Sequence, residues 1–238
     1  MRSILLLIAL VCYTRVFTQD LPVEQLETYR HRQLVPAIGQ HQLQALYPVA
    51  PSTHPSERAT IANEVYEQLN LQEKFTYHLT YREAFKANCS YPYDLGNPNK
   101  RIYAHLQGFI NEYDWSDKQH DFFKENRDSC VKYLVAEYNL QGYWGLNCKK
   151  LVVELGALEL IPVLLAGYEK QPGDHDYLTA CLELMNSSGF LKKWDVDLYT
   201  TLYNDQPFKS SISYTTRNEQ RIVQLAKNYY ELTIKNVK

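Results

Sequence analysis

Residues 151–170 read LVVELGALELIPVLLAGYEK, the most apolar stretch of the chain outside its first residues. A bilayer span needs roughly 20 consecutive apolar residues, and an acid at its centre costs several kcal/mol. Glu154, Glu159 and Glu169 interrupt the stretch, so it reads as helix buried in protein. Gly156 predicts a break between two helices, one over about 148–155 and one over about 158–168. Pro162 falls in the first turn of the second, where its missing N–H matters least.

A shift of 30 residues lays this stretch on CLELMNSSGFLKKW. Leu151 meets Cys181, Val152 meets Leu182, Leu155 meets Met185, Leu160 meets Phe190, Ile161 meets Leu191 and Leu164 meets Trp194. Helix pairs recurring at a fixed spacing mark stacked helical arrays, in which each pair buries its face against the next. The run CKKLVVELGALELIPVLLAGYEKQPGDHDYLTACLELM resembles a HEAT-type repeat: a helix ending in Leu-Gly, a short connector, an Ile-Pro helix, then Pro-Gly-Asp before another amphipathic helix. The resemblance covers about residues 148–200. It implies an α-solenoid-like core and, by analogy, a protein-binding surface. Two units are fewer than a free-standing solenoid needs, so flanking helices must complete the core.

Those flanks are legible. In DWSDKQ, Ser116 and Gln119 form a capping box, followed by an apolar stripe of Phe123, Cys130, Leu134 and Tyr138 that should end at Gly142. Thr216 and Glu219 open a last helix in the same way, with Ile222, Leu225, Ala226, Tyr229 and Leu232 on its buried side. Residues 116–238 therefore read as a HEAT-like helical domain, and the fold class as mainly α.

Upstream, residues 56–115 read as a helix followed by a Tyr-rich irregular part. Ser56 caps a helix through Ile61, Val65 and Leu69, widened by Ala62 and Tyr66. In KFTYHLTYREAF, Phe75, Tyr77, Leu79 and Tyr81 alternate with polar residues, which predicts an extended segment. CSYPYDLGNPNK, at 89–100, is built of turn formers and reads as a loop. Residues 20–55 form an arm, ended by Pro48, Pro51 and Pro55.

The first residues, MRSILLLIALVCYTRVFTQD, place a positive Arg2 before an apolar run over 4–11, and Arg15 stops it short of a bilayer span. Residues 1–19 thus read as a secretory signal, cut near Thr18 or Gln19. The chain is expected to be exported, to a periplasm or outside the cell. Cys12 raises a lipoprotein alternative, the one route to membrane association, but Val11 before it is not the small residue such sites want.

Of 238 residues, 45% are hydrophobic and 22% charged, enough for a sizeable core, with 9 glycines. Loss of Arg2 and Arg15 from the 25 basic residues leaves 23 against 27 acids, a net charge of −4. Without a basic cluster there is no footprint for nucleic acid.

Chemistry-bearing motifs are sparse. There is no HExxH, CxxC, GxSxG or phosphate loop, so no metal, cofactor or catalytic set is assigned. Asp195 and Asp197 could suggest a DxD metal–sugar site but suit a helix start, as do Asp174, His175 and Asp176. His78, His105, His120 and His175 read as surface residues. A secreted hydrolase or glycan-directed enzyme near residues 75–115 is the alternative, using Cys89 with His78 or His105. The sequons at Asn88 and Asn186 are of a number expected by chance.

Tyrosine is the outlier, at 20 residues. Tyr77, Tyr81, Tyr91, Tyr93, Tyr103 and Tyr113 cluster near Trp115, either covering the end of the helical core or forming a binding surface. The candidate partner surface is Tyr77, His78, Tyr91, Tyr93 and Trp115. Four cysteines follow the signal, allowing three disulfide connectivities. The matching helices of the two units suggest Cys148 with Cys181, leaving Cys89 with Cys130. The leading expectation is an exported helical binding or scaffold protein with a protein partner.

Overall fold

A computed structural model describes residues 63–85, 100–106, 113–203 and 210–235. The signal, the arm, Ser56, Ile61, Ala62, the loop at 89–99 with Cys89, Tyr91 and Tyr93, and the Asn88 sequon lie outside the described residues.

The described chain is mainly helical. Helices α1 (Asn63–Gln68) and α2 (Leu71–Thr80) lead into two short antiparallel sheets, β1 (Ala84–Phe85) with β3 (Tyr113–Asp114), and β2 (Arg101–Tyr103) with β4 (Ser211–Ser213). Between them run α3 (Asp117–Glu125), α4 (Arg127–Gln141), α5 (Leu146–Glu154), a 3-10 turn (Leu158–Leu160), α6 (Ile161–Lys170), α7 (Asp176–Ser187), α8 (Phe190–Trp194) and α9 (Val196–Tyr203). The last helix is α10 (Thr216–Lys235).

The segment expected to be extended, KFTYHLTYREAF, is a helix as far as Thr80. Asn70 caps it by accepting from the Glu73 N–H, and Glu73 reaches back to the Asn70 N–H, a full capping box one residue before the helix. Phe75 to Leu79 are all buried. A segment enclosed on every side shows no amphipathic period, so the alternation seen in its letters carried no signal.

Ser116 caps α3 with Gln119 as expected. The long helix then breaks at Asn126, whose side-chain amide donates to the Phe122 carbonyl at 2.9 Å, before α4 runs to Gly142. At the last helix the cap is Thr215, one residue earlier than expected: its hydroxyl accepts from the Asn218 N–H at 3.2 Å. Gly156 separates α5 from α6 with φ +54, a left-handed conformation that L side chains resist.

Helix α7 is the axis of the core. From Asp176 to Met185 every residue except Glu183 is buried, and α5, α6, α8, α10 and β2 all pack on it. A helix with apolar or internally bonded side chains on all faces needs neighbours on all faces. One continuous core joins Phe75, Leu79, Ile102 and Trp115 to Leu134, Leu164, Leu184 and Ile222. It therefore spans both sides of residue 116.

Candidate functional site

Buried polar groups are the natural place to look for chemistry, because each costs free energy unless it is paired. The deepest set joins the starts of α5 and α7. Lys149, fully buried, forms an ion pair with Asp174, itself 1% exposed. The Lys149 ammonium also sits 4.0 Å from the centre of the Tyr177 ring, a cation–π contact. The Tyr177 hydroxyl accepts the Trp144 N–H at 2.7 Å, and the Trp144 indole donates to the Leu134 carbonyl at 2.9 Å. The remaining Asp174 oxygen accepts the Asp176 N–H at 3.2 Å. Gly167 lets α6 approach closely: a Cβ there would lie 2.6 Å from the Tyr177 ring carbon Cζ. These bonds set the spacing of four segments. They are a structural knot.

A second set holds α2 in place. Gln119 donates to the His78 carbonyl at 3.2 Å and accepts from the Glu83 and Ser116 N–H groups at 3.1 and 3.0 Å. Arg82 donates to Asn147 at 2.6 Å, and Asn147 donates onward to the Leu79 carbonyl at 2.8 Å. His78 has no exposed surface; its Nε2 lies 2.8 Å from the Tyr66 hydroxyl, while Nδ1 has no hydrogen-bond partner among the described residues. Its ring packs 4.4 Å from that of Phe122. Burial, aided by Lys118 and Lys74, pushes its pKa down to about 3. His78 is therefore neutral at ordinary pH and enclosed by rings, which suits packing rather than proton transfer.

The residues expected to present a partner surface are placed inside wherever they are described. Tyr77 is 3% exposed and donates to Glu83 at 3.1 Å. Trp115 is 4% exposed and meets Phe123 edge-on at 5.0 Å. The structure does not bring His78 and His105 into one site. His78 packs against α3, whereas His105 Nδ1 lies 3.7 Å from Glu183 on α7, with its ring perpendicular to Tyr203.

The disulfide expectation is corrected. Cys130, Cys148 and Cys181 are free, buried thiols, so neither Cys148–Cys181 nor a bond from Cys130 is formed. Helices α5 and α7 do pack together, but these cysteines serve as small apolar core residues. Desolvation pushes Cys130 and Cys181 up to about 12, and Cys148 upward as well, which removes thiolate character. Among the described residues no group of three or more His, Cys, Asp or Glu is arranged to hold a metal ion. Asp195 is the residue before α9; it accepts the Leu198 N–H at 3.1 Å and pairs with Arg221.

Several further contacts that tie distant segments together carry no signal in the sequence. His120 Nδ1 donates to Glu154 at 2.9 Å, across 34 residues. His175 donates to the Arg101 carbonyl at 2.9 Å and stacks on Tyr214 at 4.1 Å. Tyr168 donates to Tyr214 at 3.3 Å, which donates to Glu219 at 3.1 Å. No local motif could have signalled them.

The exposed features lie elsewhere. The chain turns a corner at Asp195, between α8 and α9, and there Trp194 is 52% and Val196 59% exposed. Lys192 and Lys193 are exposed beside them. Between α6 and α10 opens a shallow cleft of about 260 Å³, lined by Pro162, Leu165, Ala166 and Glu169 of α6 and by Lys227 and Tyr230 of α10. No helix among the described residues is long and apolar enough to cross a membrane. In comparisons with known proteins, no family model, curated protein or solved structure matches this chain.

Proposed function

We propose that this chain is an exported helical binding or scaffold protein that recognises a macromolecular partner. The observation that carries this reading is the Trp194–Val196 corner. Adjacent large apolar side chains more than half exposed mark a contact surface, and tryptophan is among the residues most enriched in energetically dominant contacts. The buried histidine, cysteines and ion pair are meanwhile engaged in packing. A HEAT-like arrangement agrees with this use: α5 and α7 begin 30 residues apart, at Leu146 and Asp176, and each leads into a second helix, α6 or α8. The solenoid and the export route belong to the proposal, as does the partner.

Crosslinking of the native protein in its own medium, with Trp194→Ala as comparison, tests it. Recovery of a partner that the variant loses, with the variant's fold intact, supports the reading. Equal recovery by both would move the contact surface elsewhere.

A further inference from the structure

We infer that Tyr66 and His78 form a latch worked by pH: at neutral pH it holds α1 against α2, and protonation of His78 in acid frees α1 from the rings beneath it.

Helix α1 is lightly held. None of its residues is buried. Val65 and Tyr66 join Leu69, Tyr77 and Tyr81 in a small cluster of their own, apart from the main core, which takes Phe75 and Leu79 from α2. The polar and ring contacts of α1 converge on Tyr66. Its hydroxyl lies 2.8 Å from His78 Nε2, its ring meets Tyr77 edge-on at 5.9 Å, and the Lys74 and Lys118 ammonium groups sit 4.6 and 4.5 Å from the ring centre. Glu67 adds a surface ion pair with Lys74 at 3.5 Å, a kind of contact that contributes little. A segment with so few buried contacts opens locally before the rest of a fold does.

His78 is the member of the latch that can change state. Helix α3 closes the ring's other sides, with Phe122 at 4.4 Å and Phe123 at 6.1 Å. The ionisable groups turned toward the ring are Tyr66 from α1, Lys74 and Tyr77 from α2, and Lys118 from α3. The charged ones are thus both cations. Glu67 and Glu83, the carboxylates whose charge reaches Tyr66, are engaged elsewhere: Glu67 with Lys74, and Glu83 with the Tyr77 and Ser116 hydroxyls. An imidazolium in the closed form would leave its Nδ1–H without an acceptor among the described residues and set a third positive charge beside two ammonium groups.

The direction of the switch follows. With α1 in place the ring's pKa stays at about 3, whereas departure of Tyr66 turns Nε2 to water and restores the ordinary 6.5. Between these values the open form binds a proton that the closed form refuses. Acid therefore favours opening, by about tenfold for each pH unit below the ordinary value.

Hydrogen exchange of the full chain at pH 7 and pH 4, with each rate divided by that of the unstructured peptide, tests this. The opening constant of α1 should rise about 200-fold between the two conditions. Low concentrations of urea should leave that rise unaltered, because freeing one short helix exposes little surface. Amides of α7 should stay far better protected at both pH values, with a strong urea dependence. His78→Gln keeps a hydrogen-bonding partner for Tyr66 but cannot take up the proton, so its α1 exchange should be nearly flat with pH. Tyr66→Phe lacks the hydroxyl and should open roughly fivefold more readily at pH 7, while keeping the steep acid response. It decides the matter if His78→Gln fails to fold. The inference is overturned by α1 opening that ignores pH, by an equal rise in His78→Gln, by a Tyr66→Phe variant that opens no more than the parent, or by α1 and α7 exchange that share one urea dependence, since the whole fold would then be opening.

Discussion

The Lys149 ammonium and the Asp174 carboxylate form an ion pair that neither solvent nor any surface group shares, with side chains 0% and 1% exposed. Removing either charge strands the other in the core. Lys149→Ala and Asp174→Asn should each destabilise the fold by about 3–5 kcal/mol, measured by urea unfolding. Replacing both with apolar residues, Lys149→Met with Asp174→Leu, should cost clearly less than the two single changes together, because no charge is then left unpaired.

Gly167 and the Tyr177 ring define the closest approach of two helices. Gly167→Ala raises helix propensity by up to ~1 kcal/mol but drives a methyl to 2.6 Å from Tyr177 Cζ. A loss of roughly 1–3 kcal/mol is expected from such overpacking. Substituting Ala at Gly156, where φ is +54 but nothing lies within 4 Å, should act through backbone strain instead. The two variants should therefore differ in response to a smaller residue at 177, which relieves only the first.

His78 gives stability a pH dependence. Its folded pKa is lowered to about 3 from an ordinary 6.5. Between these values the unfolded chain binds a proton that the folded chain refuses, so stability rises with pH across this window and is lost as pH falls below about 6.5. The slope for one such group is ~1.4 kcal/mol per pH unit. Thermal melting from pH 7 to pH 4, for the parent and for His78→Gln, should show a shallower acid loss in the variant even if it starts lower.

The three described cysteines should resist thiol reagents. With Cys130 and Cys181 pushed up to about 12 by burial and Cys148 raised too, the native protein should leave all three unmodified by an aromatic disulfide reagent at neutral pH. Denaturant should expose them at the rate of unfolding. Peptide mapping that found Cys148 joined to Cys181 would contradict the structure.

Helix ends were legible in the letters where a side chain caps its own backbone, as Ser116 and Gln119 do, and where Gly142 and Gly156 stop a turn. The same rule applied at Asn70 and Glu73 would have turned the extended reading of residues 74–80 into a helix. The two-residue alternation there was a coincidence of a segment buried on every face. The buried pairings were beyond sequence reasoning for another reason. Lys149 with Asp174, Arg82 with Asn147 and His120 with Glu154 link segments whose approach is decided by packing, and a lone charged residue looks the same whether it faces water or a partner. The burial of Tyr77 and Trp115 follows from the same ignorance: their polar tips fit either a surface or a core with a bond to spare.

The pairing of β2 with β4 has a consequence for how the chain folds. Arg101 and Ser211 stand opposite ends of a loop of 110 residues, tied by a 3.0 Å side-chain bond beside the strand ladder. Helices α3 to α9 lie inside that loop. Local helices form in microseconds, whereas closing a long loop must await contacts that compensate its entropy. The two-strand clasp is therefore expected to close last and open first. A protease should find its earliest cut beside β4, releasing α10 from an otherwise assembled chain and uncovering the flank of α7 that it protects.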